Sequence, residues 1–157
     1  MIFAQEDILI NNITWCLRRF PLFPIPGDGN YQVQPIFASD LAELAVQAGQ
    51  QQENRALDTI GPETYTYFDL IRLIKKTIQS RAILIKFPAG LSCFFGTLVG
   101  MMANDTLITR DEIHGLMSGL LKTDSTPKGK TKFSEWLIQH AESLGRTYVS
   151  ELTRHYL

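Results

Sequence analysis

Gly27-Asp-Gly-Asn-Tyr31-Gln-Val-Gln34-Pro35-Ile-Phe37-Ala-Ser39-Asp40-Leu-Ala42 is the stretch that decides the fold class of this chain. Pro24, Pro26, Gly27 and Gly29 crowd residues 22–30 and predict a loop there. Residues 31–37 follow as a candidate strand, and Pro35 points to an edge or irregular one. Ser39 stands where a helix N-cap belongs, with Asp40 and Glu43 in the first turn, where the helix dipole favours negative charge. Leu41, Leu44 and Ala45 begin an apolar stripe, and Gly49 is a natural stop. A loop, a strand and a helix in direct succession make an α/β pattern.

The flanks extend that pattern. On the N-terminal side, Ile2, Phe3 and Ala4 are apolar but too few to classify alone. From Asp7 the spacing is helical, with Ile8, Leu9, Ile13, Cys16, Leu17 and Phe20 mostly on one stripe. Arg18 and Arg19 suit that helix's negative pole, and Pro21 ends it. On the C-terminal side, residues 56–60 form a candidate short strand closed by Gly61-Pro62. Thr66 and Asp69 have capping-box spacing, and Leu70, Ile71, Ile74 and Ile78 repeat at three and four. Residues 82–87 are rich in β-branched side chains and predict a strand. Thr109 and Glu112 form another capping box, for a helix over about 110–120. Phe133, Trp136, Leu137, Ala141 and Leu144 are helical again, with a break at Gly145 before Tyr148, Leu152 and Tyr156 continue the pattern.

The chain has 157 residues, 45% hydrophobic and 20% charged. That is the size and composition of one globular domain able to bury its own core. A net charge of -1 provides no global field to recruit nucleic acid or an anionic membrane. Residues 87–103 are weakly polar, but they fall short of the ~20 needed to cross a bilayer and contain a proline and three glycines. They predict a buried helix, with membrane contact as the lesser alternative. The opening residues lack a basic region before an apolar run, so no signal peptide is expected, and the chain reads as starting inside a longer gene. Cys16 and Cys93 lie in no metal-ligand pattern, which argues against zinc. Their simplest reading is two small buried hydrophobes in a reducing, cytoplasmic compartment, although their separation leaves a disulfide open.

Chemistry-bearing motifs are few. Gly129-Lys130-Thr131 ends like a phosphate-binding loop, but Asp124 stands where the leading glycine belongs and would repel phosphate. A solvated loop is the better expectation. Gly27-Asp-Gly29 lacks the third glycine of a dinucleotide fingerprint and does not join a strand to a helix. No Tyr-x-x-x-Lys occurs: four residues after Tyr31, Tyr65, Tyr67 and Tyr148 stand Pro35, Asp69, Ile71 and Leu152. His114, His140 and His155 pair with no nucleophile by any local signature. The lysines over 122–132 lack interleaved aromatics, so nucleic acid is not an expected partner.

In order and spacing, these elements resemble the extended and atypical short-chain dehydrogenases of the NAD-dependent epimerase/dehydratase superfamily. Residues 27–42 resemble that family's glycine loop, strand and Asp-x-Ala helix start. Ile60-Gly-Pro-Glu-Thr-Tyr-Thr66 resembles its next strand and Thr-capped helix. Ile2-Phe3-Ala4 resembles a strand end that ordinarily reads Phe-Gly after an Arg-Pro pair; here Ala4 replaces the glycine and the Arg-Pro has no counterpart. Leu107-Ile-Thr-Arg-Asp-Glu-Ile113 and Phe133-Ser-Glu-Trp-Leu137 are similar to the tail of a subgroup that includes the NAD(P)H-binding accessory subunit of respiratory complex I.

The resemblance implies a mostly helical α/β piece, the substrate-side half of a Rossmann-type subunit. NAD(P) would belong to the absent half, leaving no cofactor and no catalysis in this chain. By position in that family, Phe3, Asn11 and Gln34 would line a small-molecule pocket. Each also has a plainer structural role: core, helix surface and sheet edge. The strand offers Gln32 and Gln34 where sugar-nucleotide epimerases often carry an arginine, which argues against a nucleotide-sugar. Other readings are a stand-alone binding or assembly module and a structural subunit of a membrane complex. Exposed apolar surface left by the absent half predicts a homo-oligomer, or association with a nucleotide-binding half. Asp40 is expected to serve stability, through a helix-dipole effect of about 0.3–1 kcal/mol.

Overall fold

The computed structural model describes residues 1–51, 54, 56–88 and 115–150. In chain order they form β1 (Ile2–Phe3), α1 (Ile8–Arg19), β2 (Leu22–Pro26), β3 (Gln32–Val33), β4 (Ile36–Phe37), α2 (Ala38–Gly49), β5 (Tyr65–Thr66), α3 (Tyr67–Thr77), β6 (Ile83–Phe87) and α4 (Phe133–His140). The architecture is mixed α/β. The capping box expected at Thr109 and Glu112, the apolar helix expected after Pro88, and Cys93 lie outside the described residues.

Local chemistry starts the helices. The Asp7 carboxylate accepts from Ile10 N at 2.8 Å and Leu9 N at 3.3 Å, satisfying two donors that the start of α1 leaves free. At α3 the expected capping box forms: Thr66 Oγ1 accepts from Asp69 N at 3.0 Å and donates to the Asp69 carboxylate at 2.7 Å. The two helices then face each other. Ile10, Ile13, Cys16 and Leu17 of α1 and Tyr67, Leu70, Ile71 and Ile74 of α3 are buried in one core with Phe133, Trp136 and Leu137 of α4. Burying each large aliphatic side chain contributes about 1.5–3 kcal/mol.

Three two-stranded sheets surround this core. β1 runs parallel to β4, with Ile2 opposite Ile36. β2 runs parallel to β6 along its full length, from Leu22 opposite Ile83 to Pro26 opposite Phe87. β3 runs antiparallel to β5.

Several sequence expectations are corrected. Residues 22–26 form a strand, not a loop. Gly27 N donates to Phe87 O at 2.7 Å, so odd-numbered N–H groups face β6. Pro24 and Pro26 fall on the other side, where no donor is needed. Residues 31–37 are two strands rather than one. The chain changes sheets at Gln34–Pro35, where Gln34 N donates to Leu121 O at 3.0 Å instead of continuing a ladder. Residues 56–60 form no strand; Ile60 O is taken by the N–H groups of Lys128 and Gly129. Ser39 is not a cap, because α2 begins at Ala38 after Phe37 and makes no side-chain cap bond. The helix from Phe133 stops at His140, and Gly145, at φ +67°, turns the chain so that residues 147–150 are not helical; Leu152 and Tyr156 lie outside the described residues.

Candidate functional site

A cleft of about 450 Å³ opens beside α4, within the ordinary size range of small-molecule sites. Its position follows from the parallel pairing of β1 and β4. Gln5 lies two residues past the end of β1 and Phe37 ends β4, so both come from the carboxyl ends of neighbouring parallel strands. In open α/β sheets ligands bind outside those ends. The opposite wall is α4, through Glu135, Trp136, Gln139 and His140, and the segment leading into it supplies Lys130, Thr131 and Lys132.

Aromatic packing fixes the wall. The Phe3 ring touches those of Phe37, Phe133 and Trp136, at centroid distances of 5.4, 5.1 and 5.1 Å. Trp136 then carries the His140 ring stacked on it at 4.7 Å and 22°. His140 Nδ1 lies 2.8 Å from the Trp136 carbonyl oxygen. A carbonyl can only accept, so Nδ1 is the protonated nitrogen, and a neutral His140 keeps its lone pair on Nε2.

The segment over 129–134 is held by two carboxylates rather than by solvent. Asp40 of α2 accepts from Lys130 N and Thr131 N, both at 2.7 Å, and from Thr131 Oγ1 at 3.1 Å. Burial pushes the Asp40 carboxyl up, but those three bonds and the Lys130 charge together hold it below the usual carboxylate range. Glu63 accepts from Ser134 N at 2.9 Å and Ser134 Oγ at 2.6 Å, capping α4 from another part of the chain. Burial opposes its ionisation as well, and the Ser134 bonds, the Tyr65 hydroxyl and the Lys132 charge outweigh it. The expected loop is present at Gly129-Lys130-Thr131, with Lys130 exposed, but it is fastened at two points. Gly129 is buried against Ile36 and Gly61, and the backbone donors that resemble an anion cradle hold the protein's own Asp40.

Lys130 Nζ lies 3.4 Å from Glu43 and Lys132 Nζ 2.8 Å from Glu135. All four side chains are more than half exposed, so these pairs hold the ammonium groups loosely. Among the described residues no group of His, Cys, Asp and Glu could hold a metal ion.

Of the three residues expected to line a pocket, the structure brings none to the cleft surface. Phe3 is fully buried and lies behind the wall, against Phe37 and Trp136. Asn11 ties α1 to the turn after α4, donating to Thr147 O at 2.9 Å and accepting from Gly145 N at 2.9 Å. Gln34 is buried, donating to Thr64 Oγ1 at 3.1 Å and accepting from Thr123 N at 2.8 Å. Sequence reasoning missed Trp136 and His140, although a spacing of four on a helix puts both on one face. Gln5 and Phe37 carried no local signal, because only the strand pairing brings them together. No protein-family model matches the chain, and no curated protein proves similar to it.

Proposed function

We propose that these residues form the substrate-side part of a reductase- or epimerase/dehydratase-like protein. In this reading the cleft receives a small molecule, and a separate nucleotide-binding part supplies NAD(P) and the reacting groups. One observation carries the reading: α2 has an apolar stripe but no buried residue. An isolated helix of that length is marginal in water, and most helical stability comes from packing an apolar face. Leu41 and Leu44 are half-buried and Val46 is 62% exposed, so among the described residues no layer covers the apolar stripe of α2. The β1–β4 pair adds support. Parallel strands occur almost only inside sheets covered on both faces, and this pair has two residues per strand.

The described residues do not fit a dinucleotide. The Gly27–Asn30 turn joins β2 to β3, so no helix N-terminus stands behind it to take a pyrophosphate. In this reading the cofactor and the chemical step belong to the other part, in the same polypeptide or in another.

Purification of the endogenous protein with an antibody against this chain tests the reading. Mass spectrometry should find a polypeptide segment bearing a glycine-rich dinucleotide fingerprint, either continuous with this chain or in stoichiometric complex with it. The isolated chain should show no micromolar affinity for NAD(H) or NADP(H) by calorimetry. Recovery of the chain alone, or micromolar dinucleotide binding by it, would refute the proposal.

A further inference from the structure

We infer that the end of the molecule where α1 and α3 finish and β2 and β6 begin docks on the surface of an anionic lipid bilayer. None of the residues involved lines the cleft beside α4. Topology brings them together. Each helix leads directly into one strand of the same parallel pair, α1 into β2 and α3 into β6. Both helix ends and both strand starts therefore meet. Ser80 Oγ donates to Leu17 O between the two helix ends, and Ile83 N donates to Pro21 O at 2.8 Å.

Positive charge collects at this end. Arg18 and Arg19 close α1, Lys75 and Lys76 close α3, and Arg81 follows in the link to β6. No Asp or Glu occurs over 8–22 or 70–87. Arg18 also reaches the turn after α4, donating to Ala141 O at 2.7 Å and Leu144 O at 3.1 Å. Burial and the nearby Arg146 charge both hold its guanidinium below the ordinary value. Two guanidinium groups are thus kept close together, and Glu142 in the same turn offsets only one of the six cations. The helix dipole accounts for the last-turn cations of α1 and α3. It does not account for Arg81 and Arg146, which stand outside the helices. Among the described residues the ion pairs engage Arg72, Lys122, Lys130 and Lys132, and none of these six. The net charge of -1 over the whole chain therefore conceals a local excess of cations.

Apolar surface sits among them. Leu22 and Ile83, the register partners that open β2 and β6, are 45% and 60% exposed. Trp15, three and four residues before Arg18 and Arg19, lies half-buried on their side of α1 and meets Phe20 edge-on at 5.6 Å. Tryptophan and long basic side chains with apolar stems suit the boundary between water and lipid. A second copy can cover Leu22 and Ile83, but it brings cations against cations; an anionic bilayer covers them and neutralises the charge. Two aliphatic side chains also supply only a small part of the roughly 800 Å² per partner of a stable protein interface. A leaflet requires no such core. Each cation near an anionic surface raises affinity about fivefold, and the apolar tips enter the headgroup boundary.

Flotation of the full chain with phosphatidylcholine vesicles, with and without about 30% phosphatidylserine, tests this. At about 0.1 M salt the chain should float with the anionic vesicles at least about tenfold better than with the neutral ones, and at about 1 M salt that advantage should vanish. Arg19→Gln with Arg81→Gln, both exposed positions, should weaken binding at least about tenfold and leave the circular dichroism spectrum unchanged. Lys122→Gln with Lys128→Gln makes the same change in net charge elsewhere and should bind as the unaltered chain does. Leu22→Thr with Ile83→Thr should weaken binding about tenfold while keeping its salt dependence. Equal flotation with both vesicles, or with neither, overturns the inference. So does a loss in the lysine pair as large as in the arginine pair, or full binding by the arginine variant. Binding that ignores removal of both aliphatic side chains would assign these cations to a polyanion other than a bilayer, and overturns it too.

Discussion

Asp40 and Thr131 stand 91 residues apart in sequence and are joined by two hydrogen bonds, from Thr131 N at 2.7 Å and Thr131 Oγ1 at 3.1 Å to the Asp40 carboxylate. With Lys130 N as a third donor, this carboxylate fastens the segment entering α4 to the start of α2. Its role is larger than that of a helix-dipole charge. Asp40→Asn retains one acceptor oxygen but turns an NH2 group toward backbone donors. Thermal and urea unfolding should show a loss of about 1–3 kcal/mol. A loss within the helix-dipole range alone, about 0.3–1 kcal/mol, would refute the fastening role.

Acid should loosen the same region. Asp40 and Glu63 both titrate below their ordinary values of 3.8 and 4.5. With depressed folded-state values, the unfolded chain binds more protons through this window, so stability falls as pH falls. The contribution is fully present above the ordinary values and is lost as pH drops through the lower folded ones. Melting temperature measured from pH 7 to pH 3 should therefore hold level, apart from other groups, until about pH 4.5 and then decline. The double variant Asp40→Asn with Glu63→Gln should decline less steeply over that acid limb; an unchanged slope would remove both carboxylates from the account.

Gly145 lets the chain turn back onto α1. Its φ is +67°, and a Cβ there would lie 2.5 Å from Trp15 N and 2.6 Å from Thr14 C. These are backbone atoms and cannot swing aside. Gly145→Ala should cost about 3 kcal/mol or more, or prevent folding. Gly49→Ala is the control: a Cβ at Gly49 meets nothing within 4 Å, and at the end of a helix it should be neutral or stabilise by up to about 1 kcal/mol. Equal effects at the two sites would contradict the described contact.

Self-association of the isolated chain follows from its uncovered apolar surface. Leu22 and Ile83 are register partners, 45% and 60% exposed, and Ile2 is 50% exposed. Together with the partly exposed stripe of α2, such surface favours burial against another copy, at roughly 25 cal/mol per Å² before association entropy is subtracted. Sedimentation equilibrium at micromolar concentration should give a dimer or larger species. Leu41→Lys with Leu44→Lys should shift it toward monomer if α2 lies in the contact. A clean monomer of the unaltered chain near 17.8 kDa would show that this surface is tolerated in water.

The sequence by itself determined the elements whose signals are local. The stripe of α1 and the Thr66–Asp69 box of α3 could be read directly, because caps and helical spacing act within a few residues. So could the strand near Ile83–Phe87 and the burial of Cys16. Tertiary structure decided what depends on distant partners. Pro24 and Pro26 lie in a strand because β6 takes donors only from the odd-numbered residues that alternate with them. Ser39 does not cap α2, although Asp40 in the same turn binds Lys130 and Thr131. The turn at Gly145 is held by Asn11, 134 residues away. The candidate site belongs to this second kind. Gln5, Phe37 and His140 meet only because β1 pairs in parallel with β4 and the buried Phe3 ring packs against both Phe37 and Trp136. A hydrophobic core sums non-directional contacts from the whole chain, so no short window of sequence contains that arrangement.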